Sequence, residues 1–284
     1  MLGKVIGLTG GLYTVVENNT KSIYKVKAKG VFRHRNIEPI VGDNVTFDEN
    51  LILSIDDRKN FLVRPKIANI DYVILISPLY PEFSFELLDK FLVLIEKNNI
   101  EPIIVVTKCD KIEKEKLDSI KETLKYYSNY YNLFYSSYDG LDDPDSFKSL
   151  LKNKICIFSG QTGAGKSHLL NTIDPALTLK TQEISEALGR GKHTTREVSL
   201  YKIDDMYIAD SPGFSKLDLQ YSLESINIKD CFPEFKDTSK CKFQDCNHIT
   251  EPGCEIKKEL DEGLILKSRY DNYLKLLQEK SKRS

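Results

Sequence analysis

The segment Lys154–Asn171 places the strongest constraint on how this chain folds, because an apolar run, a glycine-rich turn and a helical run follow one another. The turn reads GQTGAGKS and matches the phosphate-binding pattern GxxxxGK[ST] in the strand–loop–helix context that the pattern requires. In such a loop, backbone N–H groups surround the phosphates, Lys166 approaches the β and γ oxygens, and Ser167 offers a hydroxyl to Mg²⁺. We therefore predict a nucleoside triphosphate site, whose phosphate-binding residues are Gly160, Gln161, Thr162, Gly163, Ala164, Gly165, Lys166, Ser167 and His168.

Apolar strands alternate with helical stretches through the middle of the chain. Between residues 71 and 172, each of four apolar runs is followed by a helical stretch. This alternation predicts an α/β fold with a doubly wound, mainly parallel sheet and helices on both faces.

The two ends of the chain have different patterns. Residues 1–63 contain short apolar runs separated by glycine, asparagine and aspartate, which predict a small β-barrel. After Pro212 the sequence becomes irregular and cysteine-rich, and from Glu255 to Lys280 it is helical. We predict three domains, at residues 1–63, 64–218 and 219–284.

Composition narrows the class of protein. The chain is 40% hydrophobic and 29% charged, which is enough apolar material for globular cores. No segment approaches the roughly 18 consecutive apolar residues that cross a bilayer, and glycines interrupt the N-terminal apolar run where a signal peptide is continuous. We therefore expect a soluble cytoplasmic protein without membrane partners.

One segment near the start of the chain is asymmetric in charge. With 41 basic and 42 acidic residues, the net charge does not indicate nucleic-acid binding, but Lys21–Arg35 contains no acidic residue. Tyr24, Val26 and Ala28 alternate there with lysines, so one strand face can be cationic. Such a face on a barrel suits an RNA backbone, with Phe32 and His34 available to stack on bases, although a solvated strand face satisfies the pattern equally well. The basic residues are Lys21, Lys25, Lys27, Lys29, Arg33 and Arg35.

Two segments after the glycine-rich turn have the pattern of nucleotide switches. The strand Met206–Asp210 leads into Asp210-Ser211-Pro212-Gly213, in which the Asp210 carboxylate can hold Mg²⁺ through water and the Gly213 N–H can reach the γ-phosphate. The preceding polar stretch, GRGKHTT at residues 189–195, can bring the hydroxyl of Thr194 or Thr195 to the metal. Taken alone, that stretch is equally well interpreted as a solvated loop.

A guanine-reading motif lies before the glycine-rich turn instead of after it. The strand Ile103–Val106 is followed by Thr107-Lys108-Cys109-Asp110, and the next strand ends in a serine loop. Asp110 can accept hydrogen bonds from both N–H groups on the guanine edge, which adenine does not supply, and Lys108 can lie over the ring. Thr107 stands where asparagine is usual, and its hydroxyl can still tie loops together with fewer hydrogen bonds. The predicted base-site residues are Thr107, Lys108, Asp110, Ser136 and Ser137.

Three cysteines and a histidine crowd together near the end of the chain. Cys241, Cys246, His248 and Cys254 supply the number and softness of ligands that a closed tetrahedral zinc site needs. Since four protein ligands leave no open position, the predicted Zn²⁺ is structural. The alternative for these residues is a set of ordinary buried cysteines. We interpret the other three cysteines, Cys109, Cys156 and Cys231, as core residues of that ordinary kind.

The motifs occur in the order base reader, serine loop, phosphate loop, switch I, switch II, whereas an ordinary G domain begins with the phosphate loop. In this order the chain resembles the circularly permuted bacterial GTPases of the RsgA type. The resemblance departs from the family pattern at Thr107, for the usual asparagine, and at Lys192, in a run otherwise like GRHTT. It is carried by VGDNV at residues 41–45, RPKIANID at 64–71, TKCD, GQTGAGKS, GKHTT, DSPGF and the cysteine cluster.

The resemblance implies a GTPase that acts in late maturation of the small (30S) ribosomal subunit and is stimulated by it. It further implies a monomer with an OB-fold that contacts 16S rRNA, a permuted GTPase domain and a helical zinc domain, using GTP or GDP, Mg²⁺ and one Zn²⁺. Phe214 follows Gly213 where many GTPases have a water-positioning glutamine. The resemblance points to a switch I histidine instead, so His193 is predicted to orient the attacking water while Lys166 offsets charge on the γ-phosphate.

Two other interpretations remain open on the residues alone. In the first, the chain is an ATP-using P-loop enzyme and TKCD is accidental. In the second, it is a non-enzymatic, zinc-dependent RNA-binding protein whose nucleotide site is only a sensor.

Overall fold

The computed structural model describes residues 1–34, 37–63, 65–161, 163–173, 198–203, 205–210, 226–236 and 240–282. Over these residues the chain forms a barrel, a large mixed sheet flanked by helices, and a C-terminal part made of short turns and two helices. None of the helices in these ranges is both long enough and apolar enough to cross a bilayer.

Five strands close into the N-terminal barrel, which confirms the predicted OB-type architecture. The strands are β1 (Leu2–Thr9), β2 (Leu12–Glu17), β3 (Ile23–Ala28), β4 (Asn44–Phe47) and β5 (Leu51–Ile55). They pair in the order β1-β2-β3-β5-β4, and β4 returns to β1 to close the ring. Because side chains alternate between the two sides of a strand, Val5, Val15 and Val26 fill the interior.

The basic segment is part strand and part helix. On β3, Lys25 and Lys27 are exposed while Val26 is buried, as the alternation predicts. The prediction for Phe32 is wrong. Its ring lies on the one-turn helix α1 (Val31–His34), is only 9% exposed and belongs to the barrel core, so it is not available for stacking. The side chain of His34 lies outside the described residues.

The central sheet has seven strands. They are β8 (Tyr72–Pro78), β9 (Glu101–Thr107), β10 (Asn132–Ser137), β11 (Gly140–Leu141), β12 (Ile155–Gly160), β13 (Ser199–Ile203) and β14 (Met206–Asp210). Their order is β11-β10-β9-β8-β12-β14-β13, in which the five inner strands are parallel and the two edge strands antiparallel. The parallel core was predicted, whereas the edge strands β11 and β13 were not.

Helices cover the sheet on both faces. They are α2 (Phe85–Glu96), α3 (Lys114–Tyr127), α4 (Pro144–Leu151) and α5 (Lys166–Ile173). On β8, Val73 and Leu75 belong to one hydrophobic cluster, and Ile74 and Ile76 belong to the other. Burial on both faces explains why these strands are continuous apolar runs without polar alternation.

The joint between barrel and sheet uses two of the sequence motifs quoted above. A hairpin of β6 (Phe61–Val63) and β7 (Lys66–Ala68) follows the barrel. Gly42, at φ +93°, lies so close to the Ala68 carbonyl that an added Cβ would collide with its oxygen. The fully buried Asp43 carboxylate accepts hydrogen bonds from Arg58 Nε and Nη2 at 2.7 and 2.8 Å, and Asn69 donates to the Gly42 carbonyl at 3.1 Å. The motifs at residues 41–45 and 64–71 thus contact each other through a hydrogen bond and close backbone packing.

The C-terminal part is less continuous than the sequence predicts. In place of one helical stretch over residues 255–280 there are two helices, α6 (Glu255–Asp261) and α7 (Lys267–Ser281). Gly263 lies between them at φ +76°, and the Leu264 N–H donates to the Glu259 carbonyl at 2.8 Å. This is the arrangement in which a left-handed glycine ends a helix.

A buried ion-pair network attaches α7 to the central domain. Arg269 donates from Nη1 to Asp89 of α2 and from Nε to Glu234, both at 2.6 Å. Its guanidinium also lies over the Phe232 ring, 4.7 Å from the centroid. Asp89 accepts further hydrogen bonds from the Tyr127 hydroxyl at 2.8 Å and from an amide on α7. The C-terminal part is therefore joined to α2 by both charge and packing.

Candidate functional site

The carboxyl ends of the parallel strands define one edge of the central sheet. Chain order runs outward in one direction through β8, β9 and β10, and in the other through β12 and β14. Ligands of doubly wound sheets bind at the carboxyl edge where strand order reverses, which here is between β8 and β12. Thr107, Ser137, Gly160 and Asp210 each end a strand at this edge. The predicted motifs thus converge on the expected binding position.

The phosphate-loop motif connects β12 to α5 in a tight turn. Gly160 has φ +149°, and a Cβ there would lie 2.5 Å from the Ile76 carbonyl oxygen of the neighbouring strand, so only glycine fits. The Lys166 ammonium donates to the Gly160 carbonyl at 3.2 Å, which closes the loop, and burial lowers the pKa of this lysine. Ser167 is exposed on the first turn of α5.

The base-reading motif contacts the phosphate loop directly. The Thr107 hydroxyl donates to the Ala164 carbonyl at 2.6 Å, although the two residues are 57 positions apart. Thr107 is 4% exposed, and a Cβ on Gly165 would lie 3.7 Å from it. The end of β9 therefore lies against the loop after β12 despite the intervening strand β8.

Lys108 and Asp110 extend from the end of β9 with different partners. Lys108 adopts a left-handed backbone at φ 60°, and its ammonium donates to the Tyr80 carbonyl at 3.1 Å. Asp110 lies in the short 3-10 helix Cys109–Lys111, with its carboxylate 3.4 Å from the Lys111 ammonium. The Asp110 side chain keeps 30% of its surface exposed, so its oxygens can meet a ligand.

The serine loop is held by the phosphate-loop helix. His168 Nε2 lies 3.2 Å from the Ser137 carbonyl oxygen, and its ring stacks on Tyr138 with centroids 6.1 Å apart. Ser136 is buried and Tyr138 is 79% exposed. The structure thus places His168 against the serine loop. Tyr138 was not singled out by the sequence, and its only signal is an aromatic residue directly after the serine pair.

Of the remaining predicted site residues, two are exposed and the others lie wholly or partly outside the described residues. Gln161 and Gly163 lie on the exposed side of the phosphate loop. The backbone of Asp210 ends β14, but its side chain lies outside the described residues. The others that lie outside are Thr162, His193, Thr194, Thr195 and Gly213.

The four predicted metal ligands come together in the C-terminal part. One ligand atom from each of Cys241, Cys246, His248 and Cys254 lies within 4.8 Å of the others. His248 Nδ1 is 3.3 Å from Cys254 Sγ and 3.8 Å from Cys241 Sγ. Thiolate and imidazole ligands around a tetrahedral zinc, at about 2.3 and 2.0 Å, stand roughly 3.5–3.8 Å apart. The donor set and its spacing therefore fit Zn²⁺.

Hydrogen bonds hold the loop that carries these ligands. The Glu251 carboxylate accepts from the backbone N–H groups of Asn247 and Ile249 at 2.8 Å and of Thr250 at 3.0 Å. Burial alone would raise the pKa of Glu251, but these hydrogen bonds lower it to about 2. The Tyr270 hydroxyl on α7 donates to the His248 carbonyl at 2.6 Å.

The other cysteines have the surroundings predicted for them in part. Cys231 is buried in the hydrophobic core of the C-terminal part, and Cys156 is buried in the central sheet. Cys109 is half-buried, and its thiol donates to the Val106 carbonyl at 3.6 Å. Within the described ranges the metal-ligand group contains none of the three.

Known proteins match this chain over nearly its whole length. Residues 55–220 match the RsgA GTPase family and residues 2–51 match the RsgA N-terminal domain. Proteins named small ribosomal subunit biogenesis GTPase RsgA are similar in sequence: that of Bacillus cereus is 42% identical, covering 98% of this chain and 96% of the relative. That of Streptococcus mutans is 46% identical, covering 98% and 95%.

Solved structures match equally well. YjeQ from Thermotoga maritima has a TM-score of 0.82 at 35% identity, covering 98% of each chain. YloQ, described as a circularly permuted GTPase, has a TM-score of 0.81 at 32% identity, covering 100% of this chain and 96% of that chain. Permutation accounts for a base-reading motif that precedes the phosphate loop in sequence and touches it in space. The chain therefore belongs to the RsgA GTPase family and is a GTP-hydrolysing enzyme with a circularly permuted G domain.

Proposed function

We propose that this enzyme hydrolyses GTP to GDP and phosphate in late maturation of the small (30S) ribosomal subunit, which stimulates its turnover. The observation that carries the guanine site is the hydrogen bond from Thr107 to Ala164, because it puts the base-reading motif beside the phosphate loop. The relatives named for small ribosomal subunit biogenesis support the biological assignment. Its proposed location is the cytoplasm, and its proposed state is a monomer.

The nucleotide is proposed to lie along the carboxyl edge of the sheet. Backbone N–H groups of residues 160–168 bind the phosphates, and Lys166 approaches the β and γ oxygens. Burial lowers the pKa of Lys166, so a bound polyphosphate would supply the negative charge that favours its ammonium form. Asp110 accepts hydrogen bonds from the guanine edge, Lys108 lies over the ring, and the serine loop of Ser136 and Ser137 closes the base site.

Switch residues complete the proposed reaction site. Mg²⁺ would be held by Ser167, Asp210 and one of Thr194 and Thr195. When it is bound, the ion would neutralise negative charge on the phosphates. The Gly213 N–H donates to the γ-phosphate. His193 accepts a hydrogen bond from the attacking water and orients it in line with the bond that breaks.

The outer parts of the chain are proposed to recognise the ribosomal subunit. Residues 1–63 form the RNA-binding domain, with the exposed Lys25 and Lys27 on β3 directed to 16S rRNA phosphates. Residues 64–218 form the GTPase domain. Residues 219–284 form a helical domain that Cys241, Cys246, His248 and Cys254 hold around a structural Zn²⁺.

Hydrolysis with and without isolated 30S subunits tests the proposal. Lys166→Ala should abolish stimulated phosphate release, because the cation at the γ-phosphate is lost. Lys152→Ala is the matched control, since this exposed lysine precedes β12 at the opposite edge of the sheet. Stimulated turnover that survives in Lys166→Ala would contradict the assignment.

Two additional readouts test the proposal against an ATP-using enzyme and against a non-enzymatic nucleotide sensor. If the chain were an ATP-using enzyme, added ATP would displace bound labelled GTP and added GDP would not. A nucleotide sensor would bind GTP but release no phosphate beyond one turnover when 30S subunits are added.

A further inference from the structure

The side chain of Thr107 has a single hydrogen to donate, and the structure shows where it goes. A hydroxyl carries one donor hydrogen and two acceptor lone pairs. In this chain the hydrogen points to the Ala164 carbonyl at 2.6 Å, and Thr107 is 4% exposed. The Thr107 oxygen can therefore only accept a further hydrogen bond.

The other side-chain donors of TKCD are the Lys108 ammonium, which has three hydrogens, and the Cys109 thiol. The Lys108 ammonium donates to the Tyr80 carbonyl at 3.1 Å, and the Cys109 thiol donates to the Val106 carbonyl. Asp110, when ionised, only accepts. The Lys108 ammonium keeps two further hydrogens, but its proposed position is over the ring. At the edge of the base, TKCD, all of which the structure describes, therefore offers only acceptors, from Thr107 and Asp110.

Guanine offers both donors and acceptors to such a motif, on two different edges of the base. Its N1–H and 2-amino groups donate, whereas N7 and O6 accept. Asp110 matches the two donors. N7 needs a donor, and the Thr107 oxygen does not supply one. An asparagine amide has two N–H groups, so it can tie the phosphate loop and still donate to N7.

We propose that this enzyme recognises guanine through N1–H and the 2-amino group and leaves N7 unread by its base-reading motif, because Thr107 donates its only hydrogen to the phosphate loop. The substitution of threonine for asparagine then separates two roles. The tie between β9 and the phosphate loop is kept, and the contact with N7 is absent. This inference rests on the proposed guanine site.

Nucleotide analogues test the inference on the wild-type chain. The measurement is the dissociation constant, by isothermal titration, for GDP, for 7-deaza-GDP, in which a C–H replaces N7, and for inosine diphosphate, which lacks the 2-amino group. We expect GDP and 7-deaza-GDP to bind within about twofold of each other and inosine diphosphate to bind at least about tenfold more weakly, since a hydrogen bond to a charged group contributes about 1.5–3 kcal/mol.

Variants at position 107 assign the effect to this residue. Thr107→Asn should bind 7-deaza-GDP about five- to tenfold more weakly than GDP, because a neutral hydrogen bond to N7 contributes on the order of 1 kcal/mol. Thr107→Val loses the tie to Ala164 and should weaken both ligands by a common factor. Thr107→Ser keeps one hydroxyl, so it should retain the wild-type ratio of the two dissociation constants.

The outcomes are distinguishable. If wild-type protein binds GDP but discriminates against 7-deaza-GDP by fivefold or more, N7 is read and the inference is overturned while the guanine site stands. A Thr107→Asn protein that binds GDP without discriminating overturns the assignment to residue 107. Absence of GDP binding, or binding of ADP as tight as that of GDP, overturns the proposed site and this inference together.

Discussion

The nucleotide site and the metal cluster are built in opposite ways. The nucleotide site joins segments far apart in sequence, as the contact across 57 positions between Thr107 and Ala164 shows. The four predicted metal ligands all lie within residues 241–254, in a single loop. The sheet holds the first site in place, whereas residues 240–254, which carry the second, contain neither helix nor strand.

This difference sets what each region depends on. At the nucleotide site, β9, β10 and β12 are each paired with neighbouring strands of the central sheet. The loop that carries the predicted metal ligands packs instead on a core of cysteines and aromatic rings. The Glu251 carboxylate accepts hydrogen bonds from its backbone. We therefore expect removal of the metal to unfold the loop and to leave the nucleotide site folded.

The largest expected effect follows from loss of one metal ligand. Cys246→Ser should lower zinc content from one ion to none per chain, because binding of structural zinc contributes on the order of 10 kcal/mol to the fold that holds it. Zinc is measured by elemental analysis, and loop order by hydrogen exchange. Cys231→Ala is the control, since Cys231 is equally buried in this part but lies outside the ligand group.

The comparison would fail in either of two ways. Retention of zinc in Cys246→Ser would show that the four residues are not the ligands. Loss of GDP binding together with zinc would show that the nucleotide site depends on the metal loop.

A smaller effect is expected at the joint between the two regions. Arg269→Met should destabilise the attachment of α7 to α2 by about 3–5 kcal/mol, because it leaves the buried carboxylates of Asp89 and Glu234 without their cation. Limited proteolysis and hydrogen exchange of α7 measure the loss. The double variant Asp89→Asn with Arg269→Met should recover part of it, since one of the two charges is then removed.

The stability of the Arg269→Met variant should depend on pH in a defined direction. Burial raises the pKa of Asp89, although Arg269 and hydrogen bonds oppose the shift. Without Arg269 this pKa rises further, so the folded protein binds a proton more readily than the unfolded chain. Stability of Arg269→Met should be greatest below the ordinary aspartate pKa of about 4 and fall as pH rises through the raised value. A loss that is equal at pH 5 and pH 8 would exclude Asp89 as its source.

Features that depend on short stretches of sequence could be predicted. Short apolar runs separated by turn residues predicted the barrel, and longer apolar runs followed by helical stretches predicted the parallel sheet. The spacing of Cys241 to Cys254 predicted the ligand group. Each of these signals lies within one element or one loop. The contact between the end of β9 and the phosphate loop was predictable only because TKCD and GQTGAGKS are recognisable motifs.

Other features depend on which elements become neighbours. The sequence indicates a cationic segment at Lys21–Arg35 but not that α1 turns Phe32 into the barrel core. Gly263 interrupts a helical pattern that is otherwise continuous, and a lone glycine is tolerated in many helices. Arg269 is one basic residue among several on α7, and only the packing of α7 on α2 identifies it as the buried one.

The smallest expected effect concerns His168, whose contacts assign it a role that the phosphate-loop pattern does not. Its ring lies against the Ser137 carbonyl and Tyr138, so His168→Ala should loosen the serine loop and weaken guanine binding about three- to tenfold, the effect of one hydrogen bond and one ring contact. Because the serine loop is proposed to close the base site, the loss should be equal for GMP and GDP. A phosphate contact would instead give a loss that grows with the number of phosphates. His168→Gln, which can donate an N–H to the same carbonyl, should recover part of the affinity, and failure to do so would show that the ring contact alone matters.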